Sequence, residues 1–330
     1  KGCTEVTMTN VIRIHRHGGP EVLQWEAVDL PDPGPKEVRV RHAAVGLNFI
    51  DTYHRTGLYP NQLPLTLGME GAGIVEKVGP KVKDFKVGDR VAYVVGLGGY
   101  AQERVMPADR AVKIPEGISY EQAAAMMLKG MTAQYLLRRT YNVKKGDTIL
   151  VHAAAGGVGV ILCQWGNALG ATVIGTVGSP EKARIAREHG CDHTVLYRET
   201  DFVAAVKRIV PRGVSAVFDG VGKDTFMAGL DCLQPRGIMV TYGNASGPVD
   251  PFSPAILAAK GSLFVTRPVL AHYTRTPEEL QETADDLFKV LESGAVKVAI
   301  NQRFALKDAA KAHDALTGKK TTGATILIPG

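Results

Sequence analysis

The residues best suited to chemistry in this chain of 330 residues lie in one run, residues 148–159, with the sequence TILVHAAAGGVG. A short apolar segment, 149–151, comes first and is typical of a buried parallel strand. Gly156, Gly157 and Gly159 follow, and then an apolar stretch with helical character. A strand, a glycine turn and a helix in this order can bind a dinucleotide, because the helix N-terminus presents N–H groups to the pyrophosphate.

A second interpretation of this run stays open. Gly156 and Gly157 would let the backbone approach a pyrophosphate, and Gly159 would let the helix pack closely on the strand. Ala154, however, stands where the first glycine of such a turn usually lies. A single match of this kind also occurs in tight strand-to-helix turns that bind no ligand. The sequence on either side of this run is therefore needed to choose between the two interpretations.

The composition is that of an ordinary globular protein with room for two domains. The chain is 45% hydrophobic and 22% charged, and a chain of this length usually forms more than one domain. Its net charge of +6 suits an anionic ligand, but it suits solubility equally well. Because the basic residues are dispersed rather than clustered, a nucleic-acid partner is not indicated.

The cysteines and the hydropathy pattern indicate the cellular compartment. Cys3, Cys163, Cys191 and Cys232 form no Cys-x-x-Cys pair and no metal-ligand spacing. This usage is typical of a reducing compartment, and we expect Cys163 and Cys232 to lie in the core. The sequence contains no run of about 18 apolar residues. We therefore expect a cytoplasmic protein that does not bind a membrane.

The first third of the chain predicts a β-rich domain. Strand patterns over 11–14, 38–45 and 73–79 are separated by turns rich in glycine and proline. Short strands separated by turns of this kind favour a small barrel. Residues 51–60 are predicted to be a loop-rich stretch.

Helical patterns begin near residue 120. Two apolar helices are predicted, over 120–128 and 131–140, separated by Lys129 and Gly130. Strand and helix patterns then alternate as far as residue 266, which predicts a doubly wound parallel sheet. The tail, with a long amphipathic helix and a strand over 296–304, is expected to return to the first domain.

Five motifs in a fixed order carry a resemblance to a known family. They are residues 46–53 (GLNFIDTY), 68–73 (GMEGAG), 88–91 (GDRV), 153–159 (AAAGGVG) and 261–268 (GSLFVTRP). The chain resembles the medium-chain dehydrogenase/reductase superfamily, and within it the zinc-independent NADPH:quinone oxidoreductases of the zeta-crystallin-like branch. Several long motifs in one order are more specific than the glycine turn alone.

The resemblance implies an α/β fold with two domains and a cleft between them. A GroES-like, partly open β-barrel catalytic domain would take residues 1–131 and be completed by 273–330. A Rossmann domain with a doubly wound parallel sheet would bind NADPH over residues 132–272. The resemblance also implies a homodimer through strand 262–266, since so apolar an unpaired edge would be a liability in a monomer.

The residues at the metal positions of the superfamily argue against a catalytic zinc. Its zinc alcohol dehydrogenases carry a cysteine where this chain has Asn48, a histidine where it has Met69 and a second cysteine near Leu128. Asparagine, methionine and leucine cannot replace the Cys, His or carboxylate ligands that zinc requires. The zinc alcohol dehydrogenases also have a structural lobe with four cysteines, and this chain has only a short loop, 93–100, at that place. The sequence therefore predicts a protein without a bound metal.

The end of the second strand in the alternating region bears on the choice between NADPH and NADH. NAD-specific turns usually carry an acid there, whereas residues 176–179 (TVGS) contain none. By resemblance, Gly178, Ser179, Lys182 and Tyr197 gather round the 2′-phosphate of NADPH. Lys182 alone also fits a solvated helix lysine, and Tyr197 alone a half-buried strand residue. Because residues 176–179 contain no acid, the four residues together favour NADPH over NADH.

The resemblance places further residues around the cofactor. Asn48 and Thr132 would lie on its nicotinamide side. The other contacts would be Gly156, Gly157 and Val158 at the pyrophosphate, Gly243 and Asn244 after a sheet strand, Phe264 and Arg267 beside the edge strand, and Lys319 in the tail. Lys319 departs from the family, which often has an arginine there, and Asn244 also fits an ordinary turn.

The leading hypothesis for function is NADPH-dependent reduction of a quinone. One alternative is reduction of enones or other activated alkenes by the same hydride. Another is a non-catalytic NADPH- or RNA-binding role, which no aromatic and basic stretch supports. For quinone reduction the candidate catalytic residues are Asn48, Tyr53, Tyr59 and Thr132. Tyr53 and Tyr59 would stack on a flat acceptor, or they would only pack the edge of the barrel.

Overall fold

The computed structural model describes residues 7–94 and 96–330, which form two compact units. The first unit contains the described residues up to Leu128 together with Thr274–Phe288 and Val298–Gly330. The second contains Lys129–Tyr273 and Lys289–Lys297. Within the described ranges, no helix combines the length and the apolar character that a membrane crossing requires.

The first part of the chain is mostly β-structure. Its elements are β1 (Thr7–Ile14), β2 (Gln24–Leu30), β3 (Glu37–Leu47), α1 (Phe49–Thr56), β4 (Leu65–Thr66), β5 (Glu70–Val78), β6 (Arg90–Val94), β7 (Glu103–Pro107), β8 (Ala111–Lys113) and α2 (Tyr120–Tyr135). Short 3₁₀ turns lie at Pro20–Val22 and Ala108–Arg110, and a π-helical turn, Leu136–Thr140, continues α2.

Strands and helices then alternate. The elements are β9 (Thr148–Val151), α3 (Gly157–Ala168), β10 (Thr172–Val177), α4 (Pro180–Glu188), β11 (His193–Leu196), α5 (Phe202–Ile209), β12 (Val214–Asp219), α6 (Phe226–Asp231), β13 (Leu233–Thr241), α7 (Ala255–Ala259), β14 (Phe264–Thr266) and α8 (Leu270–Tyr273). The tail adds α9 (Pro277–Glu292), β15 (Ile300–Ala305), a 3₁₀ turn (Leu306–Asp308), α10 (Ala309–Thr317) and β16 (Ala324–Ile328).

The first unit is built on two sheets. A three-stranded sheet has the order β2-β1-β4, and a seven-stranded sheet has the order β15-β16-β3-β5-β6-β8, with β7 also paired to β3. β16 lies antiparallel to β3, with Ile326 opposite Gly46. The last two strands of the tail therefore extend the larger sheet of the first unit. Val38, Val40 and Tyr93 are fully buried in the core that the larger sheet covers.

The second unit holds a six-stranded sheet with the order β11-β10-β9-β12-β13-β14, and every pair in it is parallel. β9 is central and fully buried from Ile149 to Val151, as its continuous apolar run predicts. The predicted doubly wound parallel sheet is confirmed. All strands end at one edge of the sheet, where ligands bind in folds of this type. Cys163, Cys191 and Cys232 are buried, and Cys3 lies outside the described residues.

Two predictions of local structure were wrong for a clear physical reason. Residues 51–60 are not all loop, because Phe49–Thr56 forms α1 between the N-cap Asn48 and the C-cap Gly57, whose φ is +83°. The predicted break at Lys129 and Gly130 is absent, and one helix runs from Tyr120 to Tyr135. Burial of apolar residues on both sides of Gly130 outweighs the cost of about 1 kcal/mol that a glycine adds to a helix.

Two predicted strands are shorter than expected. Strand 262–266 begins only at Phe264, because Ser262 has a φ of +55°, which a β-strand does not accommodate. Strand 296–304 begins only at Ile300. The N–H of Val296 instead donates to the carbonyl of Val290, 3.0 Å away, which closes the end of α9.

Candidate active site

The glycine turn between β9 and α3 brings the helix N-terminus close against the backbone that precedes it. A Cβ on Gly159 would lie 2.2 Å from the carbonyl oxygen of Ala153 and 2.9 Å from the Cα of Ala154. A side chain at position 159 would therefore collide with the turn that precedes the helix. Ala153 has a φ of +52°, a left-handed conformation that is uncommon for alanine. The first N–H groups of α3, at Gly157 and Val158, follow this turn after the central strand.

The end of β10 presents polar and cationic groups. A Cβ on Gly178 would lie 3.2 Å from the hydroxyl oxygen of Tyr197 and 3.5 Å from Nε of Arg198. The Arg198 guanidinium lies 5.9 Å from the centroid of the Tyr197 ring. Ser179 is the N-cap of α4, and its hydroxyl accepts a hydrogen bond from the N–H of Lys182, 3.3 Å away. The structure thus brings four of the predicted contacts together, and it adds Arg198.

Arg198 was missed by sequence reasoning, although a signal was available. It immediately follows Tyr197 after the strand that pairs with β10. The backbone N–H of Tyr197 donates to the carbonyl of Val177 at 3.2 Å. A basic residue directly after a strand that neighbours β10 is therefore placed at the same sheet edge as Gly178.

The loops after β12 and β13 support each other at the same edge of the sheet. Asp219 ends β12 and accepts hydrogen bonds from the N–H of Val221 at 2.8 Å and from the hydroxyl of Thr225 at 2.9 Å. A Cβ on Gly243 would lie 2.4 Å from the carbonyl oxygen of Gly220, so this position requires glycine. Asp219 was not predicted, but its carboxylate organises the loop against which Gly243 and then Asn244 lie.

The remaining predicted contacts of the second unit lie on separate elements. Phe264 is on the edge strand β14 and is 61% exposed. Arg267 donates to the carbonyl of Thr241 at 3.2 Å, which ties the segment after β14 to the end of β13. Thr132 is buried within α2. The roles of all three residues stay predictions.

In the first unit, Asn48 is held by two carboxylates. Its backbone N–H donates to Oδ2 of Asp51 at 2.9 Å, and its side-chain amide donates to Oε1 of Glu70 at 2.6 Å. The other Glu70 oxygen, Oε2, accepts from the N–H of Leu128 at 2.5 Å. Asn48 is only 4% exposed and Glu70 is 0% exposed. Sequence reasoning missed Glu70, although it lies inside the motif at residues 68–73.

Two of the three positions that carry metal ligands in zinc alcohol dehydrogenases are thus joined by a hydrogen-bonded carboxylate. Asn48 and Leu128 both donate to Glu70, and Met69 precedes it directly. Over the part of the chain that the structure describes, no three His, Cys, Asp or Glu side chains form a group that could hold a metal ion.

A buried chain of hydrogen bonds fixes α1 in place. Nη1 of Arg55 lies 2.9 Å from Nδ1 of His313, and Nε2 of His313 lies 3.0 Å from the hydroxyl of Tyr100. Tyr100 donates to Oδ2 of Asp51 at 2.8 Å. Because a guanidinium only donates, Nδ1 of His313 accepts, and the proton of the neutral ring is on Nε2. Every hydrogen bond therefore points from Arg55 towards Asp51.

The charge state of His313 agrees with this direction. Burial is the main cause that lowers its pKa to about 3, and the positive charge of Arg55 lowers the pKa further. The Tyr100 hydroxyl has a pKa well above its usual range, because it is buried and lies beside Asp51. Both groups therefore stay neutral near pH 7 and carry hydrogen bonds between one cation and one anion.

Tyr53 and Tyr59 come together, as the prediction of an acceptor-binding rim requires. Their ring centroids are 5.2 Å apart at an angle of 61°, and the N–H of Tyr59 donates to the carbonyl of Tyr53. Phe49 packs against Tyr53 at 5.6 Å and His54 against Tyr59 at 5.7 Å. Both tyrosines are half-buried, so they contribute to packing and still present ring surface. Their contact with an acceptor stays a prediction.

Lys319 belongs to the first unit and follows α10. It is exposed and has a φ of +57°, and its N–H donates to the carbonyl of Leu316 at 3.1 Å. The structure joins this residue to the end of α10. Its predicted role at the cofactor stays a prediction.

Comparison with known proteins agrees with both units. Residues 34–116 match the alcohol dehydrogenase GroES-like domain, and residues 157–289 match the zinc-binding dehydrogenase domain. A quinone oxidoreductase from Pseudomonas aeruginosa is 54% identical over 98% of this chain and 100% of its own length. The chain belongs to the quinone oxidoreductase family of the medium-chain dehydrogenase/reductase superfamily.

Two further relatives bear on ligands. The crystal structure of an Escherichia coli quinone oxidoreductase complexed with NADPH has a TM-score of 0.95 and 50% identity, and it covers 97% of this chain and 100% of its own. A 2-haloacrylate reductase from a Burkholderia species is 46% identical over 96% of this chain and 98% of its own length. The resemblance inferred from the motifs and the GroES-like and Rossmann fold are confirmed.

The buried histidine in the α1 chain predicts a defined loss of stability in acid. The pKa of His313 is about 3 when folded and about 6.5 when unfolded. Its contribution is fully present above about pH 6.5 and is lost as the pH falls, because the unfolded chain then binds a proton that the fold does not. The loss is about 1.4 kcal/mol for each pH unit below that value.

The substitution His313→Gln tests this directly, since glutamine can accept from Arg55 and donate to Tyr100 without titrating. We expect urea unfolding at pH 7, 6 and 5 to show a weaker pH dependence in His313→Gln, by about one proton. His272→Gln, at an exposed position on α8, serves as control and should keep the wild-type dependence. An unchanged dependence in His313→Gln would mean that His313 is already protonated in the folded protein.

Proposed function

We propose that this protein is an NADPH:quinone oxidoreductase that transfers a hydride from NADPH to a quinone without a metal ion. The observation that carries the proposal is the Arg198 side chain beside Gly178 at the end of β10, next to the glycine turn, in a chain that matches a quinone oxidoreductase over its full length. A second candidate is reduction of activated alkenes, which the similarity to the 2-haloacrylate reductase favours.

The second unit fits the two phosphate groups of NADPH. The N-terminus of α3, with Gly156, Gly157 and Val158, suits the pyrophosphate, because unpaired N–H groups and the positive end of the helix dipole lie there. The cluster of Gly178, Ser179, Lys182, Tyr197 and Arg198 suits the 2′-phosphate, since it offers two cations and hydroxyl donors and contains no acid. When bound, NADPH supplies the hydride.

The first unit supplies groups that suit a flat acceptor. Asn48 is held rigidly at the start of α1, and the paired rings of Tyr53 and Tyr59 offer an aromatic surface for stacking. A quinone accepts a hydride readily because the product is an aromatic hydroquinone anion. The reaction then needs no Lewis acid, which agrees with the amide, thioether and alkyl side chains of Asn48, Met69 and Leu128. Solvent can protonate the product.

An assay with matched acceptors tests the proposed reaction. We expect NADPH oxidation by the purified protein to have a higher kcat/KM with quinones than with enones and 2-haloacrylates of similar size. The reverse order would favour the activated-alkene reductase. If no acceptor in either panel is reduced while NADPH still binds, the proposed enzyme activity is wrong and a binding role is favoured.

Coenzyme preference tests the proposed 2′-phosphate contacts. We expect Lys182→Ala and Arg198→Ala each to raise the KM for NADPH about tenfold and to leave that for NADH within about twofold, because each cation contacts only the extra phosphate. Arg184→Ala is the matched control. Arg184 lies on the same helix and pairs with Glu188 at 2.6 Å. If either variant changed both KM values equally, that residue would have no role in choosing NADPH.

The edge strand β14 supports the proposal of a homodimer. β14 pairs with β13 on one side and ends the sheet on the other, and its Phe264 is 61% exposed. A second copy of β14 could extend the sheet across a two-fold axis. We expect sedimentation at micromolar concentration to show a dimer in wild type and a monomer in Phe264→Lys. A wild-type species near 35.3 kDa, the mass of one chain, would contradict this.

A further inference from the structure

We propose that Glu70 is a positioning residue that sets which end of the Asn48 amide faces a ligand. This inference rests on the role of Asn48 in the proposed function. Glu70 is fully buried and touches Asn48 and Leu128 through its two oxygens, at 2.6 and 2.5 Å.

The backbone of β3 packs closely against the Glu70 carboxylate. A Cβ on Gly46 would lie 2.1 Å from Oε1 of Glu70 and 2.3 Å from the carbonyl oxygen of Ala124. Gly46 therefore has to be glycine because the carboxylate occupies the volume that a side chain would need. The Glu70 carboxylate thus lies against the end of β3 at Gly46, and the N–H of Leu128 holds it to α2.

The chemistry of the contact fixes the Asn48 amide. The two orientations of an asparagine amide differ by a half-turn that exchanges its oxygen and nitrogen. A carboxylate oxygen only accepts, so the nitrogen of Asn48 must face Glu70, and the reverse orientation would set oxygen against oxygen. Asp51 holds the backbone N–H of the same residue. Asn48 thus has both its backbone and its side chain fixed before any ligand binds, which is the preorganisation that a reacting site requires.

A double-mutant cycle separates positioning from general support of the fold. In Glu70→Gln, the new amide can accept from Leu128 only by turning its N–H groups towards Asn48, which then has to reverse its own amide to accept a hydrogen bond. With a 1,4-naphthoquinone acceptor we expect Glu70→Gln to lower kcat/KM about 10- to 100-fold, mostly through kcat, while NADPH affinity measured by fluorescence changes less than about threefold. In the Asn48→Ala background the same change should cost less than about twofold.

The outcomes of the cycle are distinct. An equal loss from Glu70→Gln in both backgrounds, or no loss in either, would overturn the positioning role. If Asn48→Ala itself left kcat/KM unchanged, the proposed role of Asn48 would fail. Glu103→Gln is the matched control, since it removes a half-buried carboxylate that pairs with Arg39 in the same unit. It should stay within about twofold of wild type, because Asn48 is not among its partners.

A swap of the two groups tests the contact without measuring activity. Asn48→Asp sets two buried carboxylates against each other, which destabilises the fold. In the double variant Asn48→Asp with Glu70→Gln, the new glutamine can donate to the aspartate and accept from Leu128, so a full set of hydrogen bonds returns. We expect the double variant to have a higher Tm than either single variant. A double variant no more stable than the less stable single variant would overturn the proposed geometry.

Discussion

Two buried carboxylates hold Asn48 from two directions, and the arrangement of the first unit depends on them. Asp51 accepts a hydrogen bond from the backbone N–H of Asn48, and Glu70 accepts one from its side-chain amide. A buried polar group without a partner costs about 1–3 kcal/mol, and a buried charge without one costs more. Each carboxylate therefore needs all of its donors. The fold supplies Leu128 to Glu70, and it supplies Tyr100, His313 and finally Arg55 to Asp51.

The second unit prepares its ligand site by a different means. There the backbone carries most of the arrangement, because Gly159 and Gly243 allow approaches that any side chain would block. The carboxylate of Asp219 then orders the loop after β12 with hydrogen bonds to backbone N–H groups. Cationic side chains are placed at the end of β10, where Lys182 lies on the first turn of α4, Arg198 follows β11, and residues 176–179 contain no acid. The backbone geometry thus suits the pyrophosphate that NADH and NADPH share, and the side chains distinguish NADPH from NADH.

Local sequence patterns predicted the features that depend on near neighbours. The continuous apolar run at 149–151 and the alternation of strands with helices were sufficient for the parallel sheet. They predicted a loop at α1, although Asn48 caps this helix and Gly57 ends it. They also failed at Glu70, whose meaning depends on partners 22 and 58 positions away. Arg55 and His313 are separated by 258 positions, and no short-range pattern relates them.

The central claim is that a hydride passes directly from NADPH to a quinone in this protein. The most direct measurement is the rate of NADPH oxidation in a single turnover with a quinone in excess, compared between ordinary NADPH and NADPH deuterated at the transferred position. We expect a clearly slower rate for the deuterated coenzyme. We also expect that the protein does not oxidise NADPH when no quinone is present. No oxidation with any quinone, or the same single-turnover rate for both forms of NADPH, would contradict it.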